Sequence, residues 1–149
     1  MKPFKNLQLQ TLDQHLAGVS VCDRPSDGWI KAVRKALGMS TRQLAQRMRI
    51  TQQSAAKLEN NEGDDAITLK KLRQAAEAMD CRLVYAFLPN EGSLEATVRK
   101  QAMKKARALV APVNHTMLLE AQAVGNMDEK IHETAEELMR NITPRLWDK

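Results

Sequence analysis

Cysteine is nearly absent from this chain. Its 149 residues hold two, Cys22 and Cys81, far apart and in no CxxC pair. That excludes a disulfide framework and a cysteine-rich zinc site, and it fits a reducing compartment. Aromatic residues make up 3% of the chain, too few for the stacking platforms that single-stranded nucleic acid needs. No apolar run approaches the ~18 residues of a membrane span. Residues 1–28 lack the continuous apolar core of a secretory signal. A cytoplasmic protein with no membrane contact is expected. His15, His115 and His132 are scattered, with no Cys or carboxylate at metal-ligand spacing. No Ser-His-Asp set and no glycine-rich phosphate loop occurs. The reading is a non-enzyme with no cofactor and no metal.

What the chain does have is basic charge, unevenly spread. Lys+Arg number 23 against 18 Asp+Glu, a net of +5. Residues 30–58 carry Lys31, Arg34, Lys35, Arg42, Arg47, Arg49 and Lys57 and no acidic residue. The bland account of such a run is a solvated helical face. Here it coincides with a motif, so it is read as a nucleic-acid footprint. A second basic stretch, residues 99–107, comes with no base-reading chemistry and is read as a solvated face.

Periodicity divides the chain into short elements. Leu9, Leu12, Leu16 and Val19 predict an amphipathic helix over residues 4–17. Gly18 and residues 23–28 break it. Trp29 to Leu37 predicts a second helix, with Gly38 behind it as a C-cap. Ser40-Thr41-Arg42-Gln43 is a capping box that opens a helix to Met48. Arg49 and Ile50 make a turn, and Thr51 caps a helix from Gln52 to about Asn60. Residues 60–66 predict a polar loop, and Thr68 caps a helix to about Met79. Residues 82–88, Arg-Leu-Val-Tyr-Ala-Phe-Leu, predict a strand stopped by Pro89. A lone strand leaves its backbone unsatisfied, and the only other candidate is a short one at residues 19–22. Leu83, Val84, Tyr85 and Phe87 are therefore expected to pair with the same strand of a second subunit. Cys81, beside that strand, is expected in the core. Residues 93–149 read as helical: Ser93 to Ala111, an interruption at Pro112, then a stripe of Met117, Ala121, Val124, Asp128, Ile131, Ala135, Leu138 and Ile142 that fits a long helix packed on another. The expected divisions are 1–28 N-terminal helix and linker, 29–80 DNA-binding domain, 81–92 dimerisation strand, and 93–149 helical region.

Helix, tight turn and helix, with the second helix opening on Gln-Gln, has a direct physical use. The major groove admits one α-helix, and side chains at its N-terminal end reach base edges first. Glutamine offers an acceptor and a donor together, matching adenine N7 and N6–H. Gln52, Gln53, Ser54 and Lys57 are the expected base readers. Free amides and the positive dipole end at Ser40, Thr41, Arg42 and Gln43 suit a phosphate, and Thr51 lies at the next such helix start. One short helix reads only a few base pairs, so a homodimer on a palindromic double-stranded operator is expected.

The run Leu44-Ala45-Gln46-Arg47-Met48-Arg49-Ile50-Thr51-Gln52-Gln53-Ser54-Ala55-Ala56-Lys57-Leu58-Glu59-Asn60 resembles the helix-turn-helix of lambdoid phage repressors, that of phage 434 most of all, and the likeness extends from about Ile30. It implies a lambda-repressor-like helix-turn-helix domain; with the elements read above, the expected fold class is mainly α, with one short strand and added N- and C-terminal helices. It also implies a structural ion pair between Arg34 and Glu59, and A·T-rich half-sites for Gln52 and Gln53. Arg49 stands where that family usually has glycine, and Thr41 where it has glutamine. The loop Glu62-Gly63-Asp64-Asp65 is acidic where the phage protein is basic.

Arg24-Pro25, Gly28-Trp29-Ile30, Ala36-Leu37-Gly38-Met39-Ser40, Ile67-Thr68-Leu69-Lys70, Ala78-Met79-Asp80-Cys81 and Leu83-Val84-Tyr85-Ala86 follow one another as in the bacterial "mobile mystery protein A" family, and the chain resembles it over nearly its full length. That resemblance implies an antitoxin-like autorepressor of a two-gene unit whose partner is a Fic-domain protein. The alternative is an inhibitor that binds the Fic protein through its C-terminal helices. Thr116-Met-Leu-Leu-Glu120-Ala121 is the nearest match to the inhibitory helix of some Fic systems, and it lacks the final Gly or Asn.

Overall fold

The computed structural model describes residues 3–20, 22–114 and 124–149. The helices are α1 (Phe4–Ala17), α2 (Trp29–Ala36), α3 (Thr41–Met48), α4 (Gln52–Gly63), α5 (Leu69–Ala78), α6 (Leu94–Asn114) and α7 (Val124–Arg140), followed by a 3-10 turn at Pro144–Trp147. The chain forms two compact units. One is Ser20–Tyr85; the other joins Met1–Val19 to Ala86–Lys149.

In the unit Ser20–Tyr85, local chemistry sets most helix starts. Ser40 Oγ accepts from Gln43 N at 3.1 Å, and Gln43 Oε1 accepts from Ser40 N at 2.8 Å. Thr51 and Thr68 cap α4 and α5 by accepting from Ser54 N and Lys71 N. Each cap satisfies an amide that has no partner in the first helical turn. Ile30, Leu44, Ala75 and Met79 form the core, with Val33 and Leu72 packed against it. Burying a side chain such as Leu44 contributes about 1.5–3 kcal/mol. Arg34 adds a polar tie: it pairs with Glu59 through two guanidinium nitrogens and donates to Met39 O at 2.8 Å.

In the other unit, Val98, Ala102 and Ala106 form one stripe on α6, which meets Ala135 of α7. Ala102 and Ala106 are wholly buried. Alanine has no side chain beyond Cβ, so the two helices approach closely at these positions. Leu146 in the 3-10 turn closes this core, and Gln101 Nε2 donates to its carbonyl at 2.8 Å. Asp13 of α1 caps α6: its carboxylate accepts from Leu94 N at 2.6 Å and from Glu95 N at 3.0 Å.

Four expectations need correction. No strand forms over residues 82–88, and none is present elsewhere among the described residues. A strand exists only through hydrogen bonds to a neighbour, and no such neighbour is found there. Leu83, Val84, Tyr85 and Phe87 therefore belong to a connecting segment in the single chain. Helix α4 runs to Gly63 instead of ending near Asn60, because Glu62 is buried and engaged on the α2 end of the unit. Helix α6 continues past Pro112 to Asn114. Cys81 is exposed. Of the long C-terminal stripe, Ile131, Ala135, Leu138 and Ile142 lie in the core or against it. His115, Met117, Ala121 and the Thr116–Glu120 match to the Fic-inhibiting helix lie outside the described residues.

Candidate nucleic-acid interface

Helices α3 and α4 are joined by a left-handed turn. Arg49 takes φ 57° and ψ 42°, and Ile50 N bonds back to Ala45 O at 3.0 Å. This hydrogen-bond pattern ends a helix at a residue with positive φ, usually glycine. Arg49 carries a side chain there and so bears a small steric cost. The turn brings Leu44 and Ala45 of α3 and Ala55 of α4, all buried, into one packed seam.

That packing leaves the start of α4 in solvent. Gln52, Gln53, Ser54 and Lys57 are all exposed. Among the described residues, the side chains of Gln52, Gln53 and Lys57 make no hydrogen bond or ion pair with the chain. Ser54 is different: its hydroxyl lies 2.8 Å from Thr51 Oγ1, so the two side chains hold each other. Ala55, Glu59 and Glu62 are the buried side of α4. Gln53, Ala56, Lys57 and Asn60 follow at helical spacing on the exposed side. Ala56 and Asn60 were not singled out from sequence; Ala56 lies three residues after Gln53 and Asn60 three after Lys57, and that helical spacing was the available signal.

The start of α3 is also exposed, apart from half-buried Thr41. Ser40 and Gln43 spend their polar groups on each other in the capping box. The backbone amides of Thr41 and Arg42 remain without an acceptor among the described residues, and Arg42 adds a guanidinium with no carboxylate partner. Two unpaired amides and a cation at a helix N-terminus are chemically suited to a phosphate oxygen. Arg47 is less available, since its Nε donates to Ala78 O.

Two carboxylates of this unit, Glu59 and Glu62, are buried and engaged within the chain. Glu59 is held by Arg34, both almost fully buried. Glu62, 3% exposed, accepts from Trp29 N at 2.7 Å and from Ile30 N at 2.8 Å. It is thus the N-terminal cap of α2, supplied by the last turn of α4. Gly28, at φ +87°, makes room for it: a Cβ there would fall 2.8 Å from Glu62 Cδ. Arg24 donates to Glu62 O at 2.8 Å and pairs with Asp65. The acidic loop is therefore partly neutralised within the chain. Sequence reasoning missed Glu62, whose partners lie 32 and 33 positions away.

Among the described residues, no helix is long and apolar enough to cross a membrane. Residues 30–85 match the family model described as Helix-turn-helix. No curated protein and no solved structure matches the chain. Residues 30–85 are therefore a helix-turn-helix domain, a DNA-binding module of regulatory type.

Proposed function

We propose that the protein is a sequence-specific transcriptional regulator that binds double-stranded operator DNA as a homodimer. One observation carries this reading. Gln52 and Gln53 stand exposed at the amino end of α4, unpartnered among the described residues, on a helix held by the buried Arg34–Glu59 pair. Gln52, Gln53, Ser54 and Lys57 read base edges. Thr41 and Arg42, with Ser40, Gln43 and Thr51 at the two helix starts, hold the phosphate backbone. The half-sites are palindromic and A·T-rich, about 34 Å apart on one face of the duplex.

A mobility-shift titration on the DNA upstream of its own gene, at two salt concentrations, tests this. Operator reading gives a steep fall in affinity with salt. The Gln52→Ala/Gln53→Ala pair loses roughly 1–3 kcal/mol of discrimination per contact while keeping non-specific binding. Unchanged site preference in that variant would overturn the assignment.

The resemblance to the mobile mystery protein A family supports a finer reading: an antitoxin-like autorepressor encoded with a Fic-domain partner. A second activity is favoured by the unit that joins Met1–Val19 to Ala86–Lys149. It has its own core, and it leaves Phe4, Leu7, Leu12, Leu109 and Trp147 exposed. In this alternative the C-terminal helices bind and inhibit the neighbouring Fic protein. Calorimetric titration with that purified protein decides it: no heat of binding, and no loss of nucleotide transfer, removes the alternative.

A further inference from the structure

The chain has two Trp, one Tyr and two Phe residues. Tyr85 and Phe87 stand almost side by side in one connecting segment, 63% and 92% exposed, with Val84 at 71%. Clustered exposed apolar side chains of this kind mark a contact surface. The backbone of the same segment is also unsatisfied: among the described residues, no N–H or C=O of residues 82–88 has a hydrogen-bond partner. The free stretch has definite ends. Cys81 N is already bonded to Ala76 O at 2.8 Å, and Pro89 has no N–H to give.

We propose that the apolar groove between α2 and α5 receives the partner subunit's Phe87 when two copies pair antiparallel through residues 82–88. The inference rests on the homodimeric reading above and deepens it by fixing the register. A two-fold axis at Tyr85 is the register in which every residue from 82 to 88 finds a mate. Leu83 then faces the partner subunit's Phe87, and Val84 faces the partner subunit's Ala86. Residues directly opposite in an antiparallel pair project from the same face. Leu83 and Val84 both line a groove of about 270 Å³ with Trp29, Val33, Leu72 and Ala76, and in this pairing Leu83 is the one that faces the partner subunit's Phe87. An apolar cavity of about 150 Å³ already accepts benzene, so a phenyl ring fits. Each buried aromatic removes about 150–250 Å² from water. With Val84, Tyr85, Phe87 and the groove walls of both copies covered, the total reaches roughly 1,000 Å², the lower bound of a specific interface.

The test uses the full chain without DNA, in a Trp147→Phe background so that Trp29 alone reports. Sedimentation from about 0.1 to 100 μM gives a concentration-dependent dimer, and Trp29 emission moves to shorter wavelength over the same range. Phe87→Ala raises the dimer dissociation constant at least roughly 30-fold, as for an interface anchor, and abolishes the Trp29 shift. Phe87→Leu restores part of both. A chain that stays monomeric at 100 μM overturns the pairing and the seat together. A dimer that forms as before in Phe87→Ala, or without a change at Trp29, overturns the seat alone. Neither failure touches the base-reading assignment, which is measured on DNA with Gln52 and Gln53 replaced.

Discussion

In the unit Ser20–Tyr85, three charged side chains lie inside: Arg34, Glu59 and Glu62 are buried. In the unit that joins Met1–Val19 to Ala86–Lys149, charge is outside. Arg99 pairs with Glu95 and Glu136, and Lys100 with Glu91, all on half-exposed or exposed side chains, over a core of alanine, valine and leucine. Both units cap a helix with a carboxylate from another helix, Glu62 on α2 and Asp13 on α6. Only the first of these carboxylates is buried. The difference concerns direction more than strength. A buried ion pair adds little net stability because desolvation offsets its attraction. It does fix how two helices are turned, since a guanidinium–carboxylate pair tolerates few geometries. The unit that carries Gln52 and Gln53 uses such ties. The other unit relies on close contact of small side chains.

The largest expected effect comes from breaking the buried pair. Arg34→Ala leaves Glu59 without its counter-charge in the core and costs about 3–5 kcal/mol. Urea unfolding read by Trp29, in a Trp147→Phe background, should show the loss. The transition read by Trp147, in a Trp29→Phe background, should stay in place. Equal shifts in both would show that the two units share one cooperative transition and that the contrast has no energetic meaning.

The two inter-helix caps give the next comparison. Glu62→Ala strands the buried amide of Ile30, at about 1–3 kcal/mol, and frees the part-buried amide of Trp29. Asp13→Ala exposes the start of α6 to water and costs about 1 kcal/mol, as for an ordinary cap. Gly28→Ala attacks the same contact from the other side, by a Cβ 2.8 Å from Glu62 Cδ at φ +87°, and should cost about 1–3 kcal/mol through strain. Denaturant midpoints of the three variants rank them. Asp13→Ala costing as much as Glu62→Ala would erase the distinction between buried and solvated caps.

These same residues show where sequence reading stopped. The starts of α3, α4 and α5 were legible because Ser40, Thr51 and Thr68 bond three residues along their own chain. The turn at Arg49 and the exposure of Gln52 and Gln53 follow from that local order and from the apolar seam of Leu44, Ala45 and Ala55. Glu62 was illegible: among Asn60, Asn61, Gly63 and two aspartates it reads as loop, and only a partner 32 positions away makes it helix and core. Asp13, whose partner lies 81 positions away, was hidden for the same reason. Residues 82–88 have the composition of a strand, but a strand is a property of two segments. One chain supplies one of them.

Overpacking tests the alanine core. Ala102→Leu adds an isobutyl tail between α6 and α7 where Ala102 is wholly buried. It should cost about 1–3 kcal/mol, read by Trp147, with the mobility shift on operator DNA unchanged. Loss of site preference in this variant would mean that the alanine core takes part in setting the reading helix.

The smallest effect separates two kinds of surface arginine. Arg99→Ala removes ion pairs whose members are about half exposed, so screening and side-chain entropy leave about 0–1 kcal/mol at stake. Arg42→Ala should be as mild for stability, because Arg42 has no ion-pair partner among the described residues. On DNA the two should part. If Arg42 meets a phosphate, its loss lowers the slope of log affinity against log salt by about one. Arg99 is already neutralised by Glu95 and Glu136, so its loss leaves that slope where it was. A lower slope in Arg99→Ala would turn the basic run 99–107 from a solvated face into a second phosphate contact, and both units would then have to meet the duplex.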